Sequence, residues 1–568
     1  MNKRLNPGSS ACPLYALALC AISLLAPLPA SAEAVLYRNA RVYTVDAARP
    51  WASAIAVEDG HIVAVGDDAE LASWRGGEAR VVDLQGRFVM PGFHDAHVHP
   101  ILGGLKYRGF WIGPEVPAAD VPARVAARLE SDPGKGTLVG EGVFSGAFID
   151  LKALDAVAPQ RPVVLYTFGG HSAWVNSAAL RAAGIDRDTP APAGGAIARD
   201  ASGELLGYFA DEALTLLRPV LPPGPVDFAT RLDVAREVTA QMSRLGITAF
   251  KDAMVEEDDL RAYRELERRG ELHQRVATAI RISGLNLSPA GQEAARGLVK
   301  RRADYRSALL HPDFVKVFLD GGPGTMALLE PTPLNPQTRP LIDGAALDAL
   351  VADYDRQGVS IMAHAHGDAA IRAFIGAVVA ARRANGTGVR HHVAHCSSIH
   401  PQDVSRLVAA DVVCDFSPYI WFPSPLVEGA RPVLGDAHME RLYPSSMMVA
   451  GGATLAGGSD WGYDNADLNP LPFLEALVTR RDPSGRTQGT WGAQWTISVP
   501  QAISVFTLNG ARALRLEAET GSLEPGKRAD FVVLDRNLLD IDPRTIHEAR
   551  VLMTVFDGRT VYEAQQGR

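Results

Sequence analysis

The stretch PGFHDAHVHP, residues 91–100, carries two histidines two positions apart at the end of the apolar run GRFVMPGF. Side chains alternate between the two faces of a β-strand, so His97 and His99 share one face if this run is a strand. Two imidazoles on one face can bind the same metal ion, although a pair of hydrogen-bonded core histidines would give the same spacing. The rest of the chain has to decide between these two interpretations.

Eight apolar, strand-like runs alternate with helix-like segments along the middle of the chain. The runs are RFVMPGFHDAH, GITAFKDA, RVATAIRI, DFVKVFLDG, VSIMAHAHGD, HHVAHCSS, DVVCDFSP and ATLAGGSDWG. Helical segments such as ALDALVADYDRQG end in glycine just before several runs, as helices commonly do. Eight strand–helix units predict an α/β fold with a (β/α)₈ TIM-like barrel, whose functional site lies at the carboxyl ends of the strands. The interval from about 105 to 240 is too long for one helix and predicts an inserted lobe.

The two ends of the chain have a different pattern from the middle. Residues 33–90 and 515–568 alternate apolar and polar residues between turn signals such as DG, GD and QG. Each segment alone, at about 55 residues, is marginal for an independent core. We therefore predict a small β-sandwich domain built from both termini, beside a barrel domain over residues 91–514.

The first 32 residues have the pattern of a signal peptide. Lys3 and Arg4 precede a short apolar stretch, and the small residues ASA at 30–32 suit cleavage by signal peptidase. We expect an exported protein, periplasmic or secreted, with no membrane segment after cleavage; an uncleaved anchor is the alternative. The formal net charge of −9 argues against nucleic acid or an anionic membrane as a partner.

Cysteines are few and do not form a disulfide scaffold. Cys12 and Cys20 fall within the predicted signal peptide, which leaves Cys396 and Cys414. Because the two predicted strands that carry them are neighbours, one disulfide is compatible with the sequence, and two buried thiols are the alternative.

Six side chains of metal-binding type lie at the predicted carboxyl ends of barrel strands. They are His97 and His99 in the first strand, Lys316 in the fourth, His364 in the fifth, His395 in the sixth and Asp460 in the eighth. Because the ends of parallel barrel strands meet at one rim, residues far apart in sequence come together there. Imidazole and carboxylate groups suit a borderline divalent ion, so we expect Zn²⁺ or another divalent transition metal.

The motifs PGFHDAHVHP, VKVFLDG, HAHGD, GSDWG and GSLEPGKRADFVVLD together resemble those of the amidohydrolase superfamily. GHSAWVNSAAL is similar to the subgroup that contains N-substituted formamide deformylase and relatives of the D-aminoacylases. The resemblance covers nearly all of the chain after residue 32 and implies one or two zinc ions. It implies one ion bound by His97, His99 and Asp460, and a carbamate on Lys316, formed from CO₂, that bridges to a second ion held by His364 and His395.

The resemblance also assigns roles to residues around the ions. Asp460 would accept a proton from the attacking water, and His171, in the inserted lobe, would contact the substrate carbonyl or oxyanion. The expected substrate-binding residues are His171, Trp174, Asn176 and Trp461; a core position is an equal alternative for Trp174, and a structural role is the alternative for His171. For Lys316 the alternative to a carbamate is an ordinary ammonium group paired with Asp320.

Other residues near the predicted rim are assigned more general roles. For His366 three roles are open, orienting a ligand, contacting the substrate or lying at the rim, and we expect the last; we expect Asp95 to orient His97. The chain departs from the family pattern at Ala394 and Gly169, where relatives have acids, and both changes leave the ligand set intact. The aromatic residues expected near the rim favour an apolar or aromatic substrate group; they are Phe110, Trp111, Trp421, Trp461 and Tyr463.

These features favour a metal-dependent hydrolase of class EC 3.5. Its expected partner is a small amide, an N-substituted amide or formamide-like compound, whose non-peptide C–N bond it cleaves. Three alternatives stay open: an N-acyl-D-amino acid deacylase, a non-hydrolytic isomerase or hydratase, and a metal-binding regulatory protein without catalysis. A serine hydrolase is disfavoured, since no G-x-S-x-G elbow occurs. A homodimer is left open.

Overall fold

The structure is a computed structural model that describes ten stretches of the chain. They are residues 34–76, 79–113, 116–132, 134–144, 146–167, 170–221, 226–283, 287–417, 422–463 and 467–565. The predicted signal peptide, residues 1–32, and Trp421 lie outside these stretches. Within them, none of the helices combines the length and the hydropathy that a membrane crossing requires.

The strands follow one another along the chain in five groups. Seven precede the barrel: β1 (Val35–Arg38), β2 (Arg41–Tyr43), β3 (Trp51–Ala52), β4 (Ala54–Glu58), β5 (His61–Gly66), β6 (Arg80–Asp83) and β7 (Phe88–Pro91). The first barrel strand is β8 (Phe93–Val98). The inserted lobe contains β9 (Phe110–Trp111), β10 (Leu138–Val143), β11 (Val163–Thr167), β12 (Ser172–Val175), β13 (Gly195–Arg199) and β14 (Leu205–Asp211). The other barrel strands are β15 (Ile247–Val255), β16 (Arg275–Arg281), β17 (Leu310–Phe318), β18 (Ser360–Ala365), β19 (His391–His395), β20 (Val412–Phe416) and β21 (Leu455–Gly457). The last group is β22 (Phe531–Leu534), β23 (Val551–Phe556) and β24 (Arg559–Glu563).

The helices mostly follow the barrel strands, and several begin at a residue whose side chain caps the first turn. They are α1 (Pro100–Arg108), α2 (Val121–Ser131), α3 (Leu151–Val157), α4 (Ser177–Ala183), α5 (Phe228–Arg244), α6 (Glu257–Arg269), α7 (Pro289–Lys300), α8 (Gly344–Arg356), α9 (Asp368–Asn385), α10 (Pro401–Ala409), α11 (Pro425–Leu434), α12 (Asp436–Met439), α13 (Ser445–Ala450), α14 (Pro470–Thr479), α15 (Val499–Val505) and α16 (Leu508–Leu514). As one example, the Asp227 carboxylate accepts the Thr230 N–H at 2.9 Å and so starts α5. Short 3₁₀ helices lie at Ala72–Gly76, Ala118–Asp120, Glu212–Val220, Arg302–Tyr305, Ala493–Trp495 and Pro543–Glu548.

The eight barrel strands pair in chain order, each parallel to the next, from β8 through β15 to β21. β21 comes back beside β8, and just beyond it the Asp460 N–H donates to the His97 carbonyl oxygen at 2.7 Å. Small residues such as Ala249 and Ala277 pack with Phe314 in the barrel interior, and a much larger apolar cluster joins the strands to the surrounding helices. The predicted TIM-like barrel is confirmed, and each of the eight apolar runs provides one barrel strand.

The first predicted strand is divided between two domains at Gly92. β7, before this glycine, pairs with β22 and β2 of the terminal domain, whereas β8, after it, pairs with β15 of the barrel. A Cβ atom on Gly92 would lie 2.2 Å from Thr248 Oγ1, so only glycine fits where the chain passes between the domains.

Both termini build the small β-sandwich. One sheet has the order β5-β4-β1-β6, and the other has the order β24-β23-β22-β7-β2-β3. Apolar residues of both sheets share one core, in which the Tyr37 and Phe531 rings lie 4.9 Å apart at their centroids. The second sheet joins strands from the two ends of the chain, as the sequence predicts.

The inserted lobe lies between β8 and β15 and has its own six-stranded sheet, in the order β13-β14-β12-β11-β10-β9. Two apolar clusters of its own support this sheet. His171 directly precedes β12, so the lobe sheet positions this histidine.

A disulfide joins Cys396 and Cys414, with their Cα atoms 5.7 Å apart. Cys396 follows the last residue of β19, and Cys414 lies on the neighbouring strand β20. The structure therefore selects the disulfide from the two states that the sequence left open.

Candidate metal centre

His97 and His99 reach the candidate site from the carboxyl end of β8. The strand ends at Val98, and His99 lies between the strand and α1. Both rings are buried, and their centroids lie 5.4 Å apart. Asp460 Oδ1 lies 3.1 Å from His99 Nε2 and 3.6 Å from His97 Nε2. The three side chains therefore form one compact group of ligand atoms.

Two ligand-type residues stand at strand ends in an uncommon backbone conformation. Asp460 has a φ of +50° and His395 a φ of +69°, both in the left-handed region that residues other than glycine seldom adopt. Such conformations cost free energy, and they cluster at functional sites because the surrounding fold holds them there. The backbone thus turns both side chains toward the site.

His364 and His395 form a second group beside the first. The distance from His395 Nε2 to His364 Nδ1 is 3.0 Å. Lys316 lies nearer the first group, with its Nζ 3.1 Å from His97 Nε2. All six predicted ligands line a single pocket, which they share with His171, Met254, Phe318 and Tyr463.

Burial sets the protonation of these side chains. It lowers the pKa of all four candidate imidazole ligands, well below the usual value for His99, His364 and His395. Burial also lowers the pKa of Lys316 to about 8. Neutral imidazoles and a carboxylate are ligands that suit zinc, and the ligand atoms of His97, His99 and Asp460 lie within 4.8 Å of one another, as do those of His364, His395 and the neighbouring His366. The donor set therefore fits divalent metal ions.

Lys316 does not show the ion pair with Asp320 that the sequence left as an alternative. Asp320 instead accepts backbone N–H groups of His366 at 2.9 Å, Gly367 at 2.7 Å and Ala327 at 3.1 Å. Asp320 therefore shapes the loop after β18, while Lys316 faces the histidines.

His366 is buried, and the expectation that it is a rim residue is wrong. Its ring stacks on His395 with centroids 4.2 Å apart, and its Nδ1 lies 2.7 Å from Ser397 Oγ. An imidazole lone pair lies in the plane of its ring, so two stacked rings cannot both point at one ion. His366 therefore supports His395 from one side.

His171 lies beside the second histidine group. It is held by Asp211, a residue that was not predicted from the sequence. The His171 ring is 5.4 Å from the His364 ring, and its Nδ1 lies 2.8 Å from Asp211 Oδ1. The other oxygen of Asp211 accepts the Thr325 hydroxyl at 2.5 Å. Asp211 ends the alternating run LLGYFAD, and an acid at a strand end is the signal that could have identified it.

Three predicted substrate-binding residues do not reach the described pocket. Asn176 caps α4, where its Oδ1 accepts the Ala179 N–H at 3.0 Å and the Val163 N–H at 2.9 Å. Trp174 packs on Tyr208 in the lobe core, with ring centroids 4.9 Å apart. Trp461 packs on Tyr107 of α1 at 5.1 Å. The structure thus places all three in supporting positions.

Two aspartates behind the first group hold its backbone and rings. Asp95 Oδ1 accepts the backbone N–H groups of His97 at 3.1 Å and Ser459 at 3.0 Å, so it ties β8 to the loop that carries Asp460. Asp415, on β20, lies 3.2 Å from His97 Nδ1 through its Oδ1. Asp95 was predicted from the sequence to orient His97, whereas Asp415 was not predicted.

A larger cavity of about 500 Å³ adjoins the metal pocket between the barrel and the lobe, and the two share Met254 and Tyr463. Its charged residues include two groups of ion pairs: Lys106 with Glu141 at 3.7 Å, and Arg231 with Asp259 at 2.6 Å and Glu256 at 3.1 Å. Its apolar walls are Leu102, Leu105, Phe110, Val139, Tyr166, Val226, Met254 and Val255. Of the predicted aromatic rim, Phe110 and Tyr463 line this cavity.

The fold and the site correspond to a class of metal-dependent hydrolases. Proteins of this class have a (β/α)₈ barrel with histidine, lysine and aspartate side chains at its carboxyl rim. The amidohydrolase family matches residues 80–562, and the chain belongs to this family.

Proteins with similar sequences or structures match most of this chain. Protein LONG AFTER FAR-RED 3 of Arabidopsis thaliana is 28% identical over 93% of this chain and 91% of its own. The N-substituted formamide deformylase of Arthrobacter pascens is 27% identical over 92% of this chain and 97% of its own. The crystal structure of an uncharacterized metal-dependent hydrolase from Pyrococcus furiosus superposes with a TM-score of 0.65 at 20% identity, covering 89% of this chain and all of that one.

Proposed function

We propose that the protein is a zinc-dependent hydrolase that cleaves the C–N bond of neutral N-substituted amides, such as N-formyl or N-acyl amines. The observation that carries the proposal is one pocket lined by six ligand-type side chains and joined to a larger, mainly apolar cavity. The Arthrobacter relative named as an N-substituted formamide deformylase supports the same substrate class.

The two ligand groups would hold two ions. His97, His99 and Asp460 form the first group, and His364 and His395 belong to the second. A carbamate on Lys316 would supply oxygen ligands to both; the neutral Nζ bonds to the carbon of CO₂ and loses one proton. When bound, the ions supply a Lewis acid that lowers the pKa of water and polarises the scissile carbonyl.

Asp460 transfers the proton, and His171 orients the substrate. The Asp460 carboxylate accepts a proton from the attacking water and returns it to the leaving nitrogen, so that the amine departs neutral. His171 contacts the substrate carbonyl from the lobe side, at the edge of the same pocket. The apolar walls of the adjoining cavity hold the substituent of the amide and exclude water from it.

The charged residues that line the cavity indicate whether it favours a neutral or an anionic substrate. Lys106 and Arg231 form ion pairs with carboxylates of the same cavity, which favours a neutral amide. Arg281 also lines the cavity, and it favours the second candidate, an N-acyl-D-amino acid, whose carboxylate it would bind.

Steady-state kinetics on the zinc-loaded protein test the proposal. We expect neutral N-substituted formamides and amides to have a higher kcat/KM than N-acyl-D-amino acids or cyclic ureides. Asp460→Asn should lower kcat by about 10³-fold or more, the scale of general-base and metal-assisted catalysis together. The zinc content of the variant, measured in the same sample, separates loss of the base from loss of the ion.

Two outcomes would contradict different parts of the proposal. A clear preference for N-acyl-D-amino acids would overturn the neutral substrate and leave the hydrolysis standing. No turnover of any amide by fully loaded protein would instead favour a regulatory, non-catalytic role.

The carbamate on Lys316 has its own test. Lys316→Ala should lower both zinc content and activity, because it removes the oxygen ligand between the two groups. Acetate or formate should then restore part of both, since a small carboxylate can occupy the vacated volume. If Lys316→Ala retains two zinc ions and full activity, the bridging role is wrong.

A further inference from the structure

A string of buried polar side chains lies beneath the candidate metal centre. Lys251 Nζ lies 2.5 Å from His392 Nδ1, and His392 Nε2 lies 2.5 Å from Asp415 Oδ2. Asp415 Oδ1 then lies 3.2 Å from His97 Nδ1. All four side chains are at most 1% exposed, and they come from four different barrel strands.

The hydrogen bonds of this string converge on the Asp415 carboxylate, which can only accept. The His392 Nε2–H therefore donates to Asp415, which leaves the lone pair of His392 on Nδ1, where it accepts an N–H of Lys251 Nζ. If the His97 Nδ1–H also donates to Asp415, the His97 lone pair is on Nε2. His97 Nε2 is the nitrogen that faces Lys316 Nζ at 3.1 Å and Asp460 Oδ1 at 3.6 Å. The carboxylate therefore selects the tautomer that a metal ligand needs.

Asp415 also holds the second ligand group. Its Oδ1 accepts the backbone N–H of His395 at 2.9 Å, at the point where His395 takes its left-handed conformation. Ala394, directly before His395, belongs to the apolar cluster of the barrel interior and offers no carboxylate. A carboxylate on the neighbouring strand thus contacts residues of both ligand groups.

The other end of the string is anchored away from the metal pocket. Lys251 Nζ donates to the Ala513 carbonyl oxygen in α16 at 3.1 Å and lies 4.4 Å from the centroid of the Phe314 ring. A buried ammonium group costs free energy unless it is paired and hydrogen-bonded. Lys251 does not line the metal pocket. We therefore attribute its buried position to its contact with His392, which it orients toward Asp415.

We propose that Asp415, backed by His392 and Lys251, is the positioning residue of the metal centre. It fixes the tautomer of His97 and the backbone of His395, and so sets the affinity for zinc. The inference rests on one part of the proposed function, which is that zinc binds at these histidines. It does not depend on which substrate is cleaved.

The same strand offers a matched control. β19 carries His391 beside His392, and His391 Nε2 lies 3.1 Å from Asp355 Oδ1 of α8. Both pairs join a buried β19 histidine to a buried aspartate, but only Asp415 contacts metal-ligand candidates. Asp355→Asn therefore removes a buried carboxylate that faces the helices, where it also pairs with Arg382.

Zinc affinity, measured by competition with a chromophoric chelator in the absence of substrate, tests the proposal. Asp415→Asn should weaken zinc binding by about 10–100-fold, the usual cost of losing a group that orients a metal ligand. It should also shift the visible absorption of the cobalt-substituted protein. Asp355→Asn should change neither readout, even where it lowers the unfolding temperature.

If Asp415→Asn does not fold, variants of Lys251 and His392 provide the same test. Lys251→Met and His392→Gln leave the Asp415 carboxylate in place and should weaken zinc binding in the same direction by a smaller factor. Wild-type zinc affinity in every folded variant of the string would overturn the proposal, as would an equal loss in Asp355→Asn. If the wild-type protein binds zinc tightly but hydrolyses no amide, the proposed function fails and this inference does not.

Discussion

His171 enters the candidate site from the inserted lobe, and the direction of its ring depends on Asp211. The carboxylate lies 2.8 Å from His171 Nδ1, and the Asp211 N–H donates to the His171 carbonyl oxygen at 2.7 Å. Asp211 therefore fixes both the backbone and the ring of this histidine. A histidine held in this way presents one tautomer to the substrate, which a neutral amide in place of the carboxylate would not enforce.

Replacing Asp211 with Asn should lower kcat for the best amide by about 10²-fold or more, the scale of one positioned acid–base group. KM should change little, because the apolar walls of the adjoining cavity stay in place. Thr325→Val is the control, since it removes the other hydrogen bond to Asp211 and leaves His171 paired. A loss confined to KM, or an equal loss in Thr325→Val, would show that Asp211 has no role through His171.

The candidate ligands could be predicted from the sequence because each lies within about three residues of the carboxyl end of its strand. His97, Lys316, His364, His395 and Asp460 all meet this condition, and the structure places them around one pocket.

The residues that orient the ligands could not be read in the same way. Asp211 is 40 positions from His171, and Asp415 is 318 positions from His97. Nothing local in the sequence indicates which acid will face which ring. Such pairings exist only once the strands are assembled.

At the scale of elements, strand existence was predictable and strand function was not. Parallel barrel strands are buried on both faces, so they appear as continuous apolar runs of distinctive length. The motif GHSAWVNSAAL contains three of the expected substrate-binding residues, but β12 lies inside the lobe sheet between β11 and β14. Its Trp174 and Asn176 are therefore used for packing and capping, and only His171, before the strand, reaches the pocket.

At the scale of the whole molecule, the barrel and the terminal β-sandwich are joined by a buried ion pair. Arg275 begins β16 of the barrel, and its Nε lies 3.1 Å from Asp530 Oδ2 of the terminal domain. Both side chains are at most 1% exposed, and the guanidinium also pairs with Asp557 and lies 5.0 Å from the centroid of the Phe556 ring. Because the sandwich contains both ends of the chain, this contact ties the termini to the barrel.

Breaking one side of this pair should destabilise the protein more than removing both sides. Arg275→Met leaves the Asp530 carboxylate buried without its cation, which costs about 3–5 kcal/mol, whereas the double variant Arg275→Met/Asp530→Asn leaves no uncompensated charge. Asp557 keeps Arg528 at 3.5 Å in both variants. We therefore expect the double variant to unfold at a higher denaturant concentration than Arg275→Met alone. Strictly additive losses in a double-mutant cycle would mean that the two domains are held together by apolar packing, with no coupling through this pair.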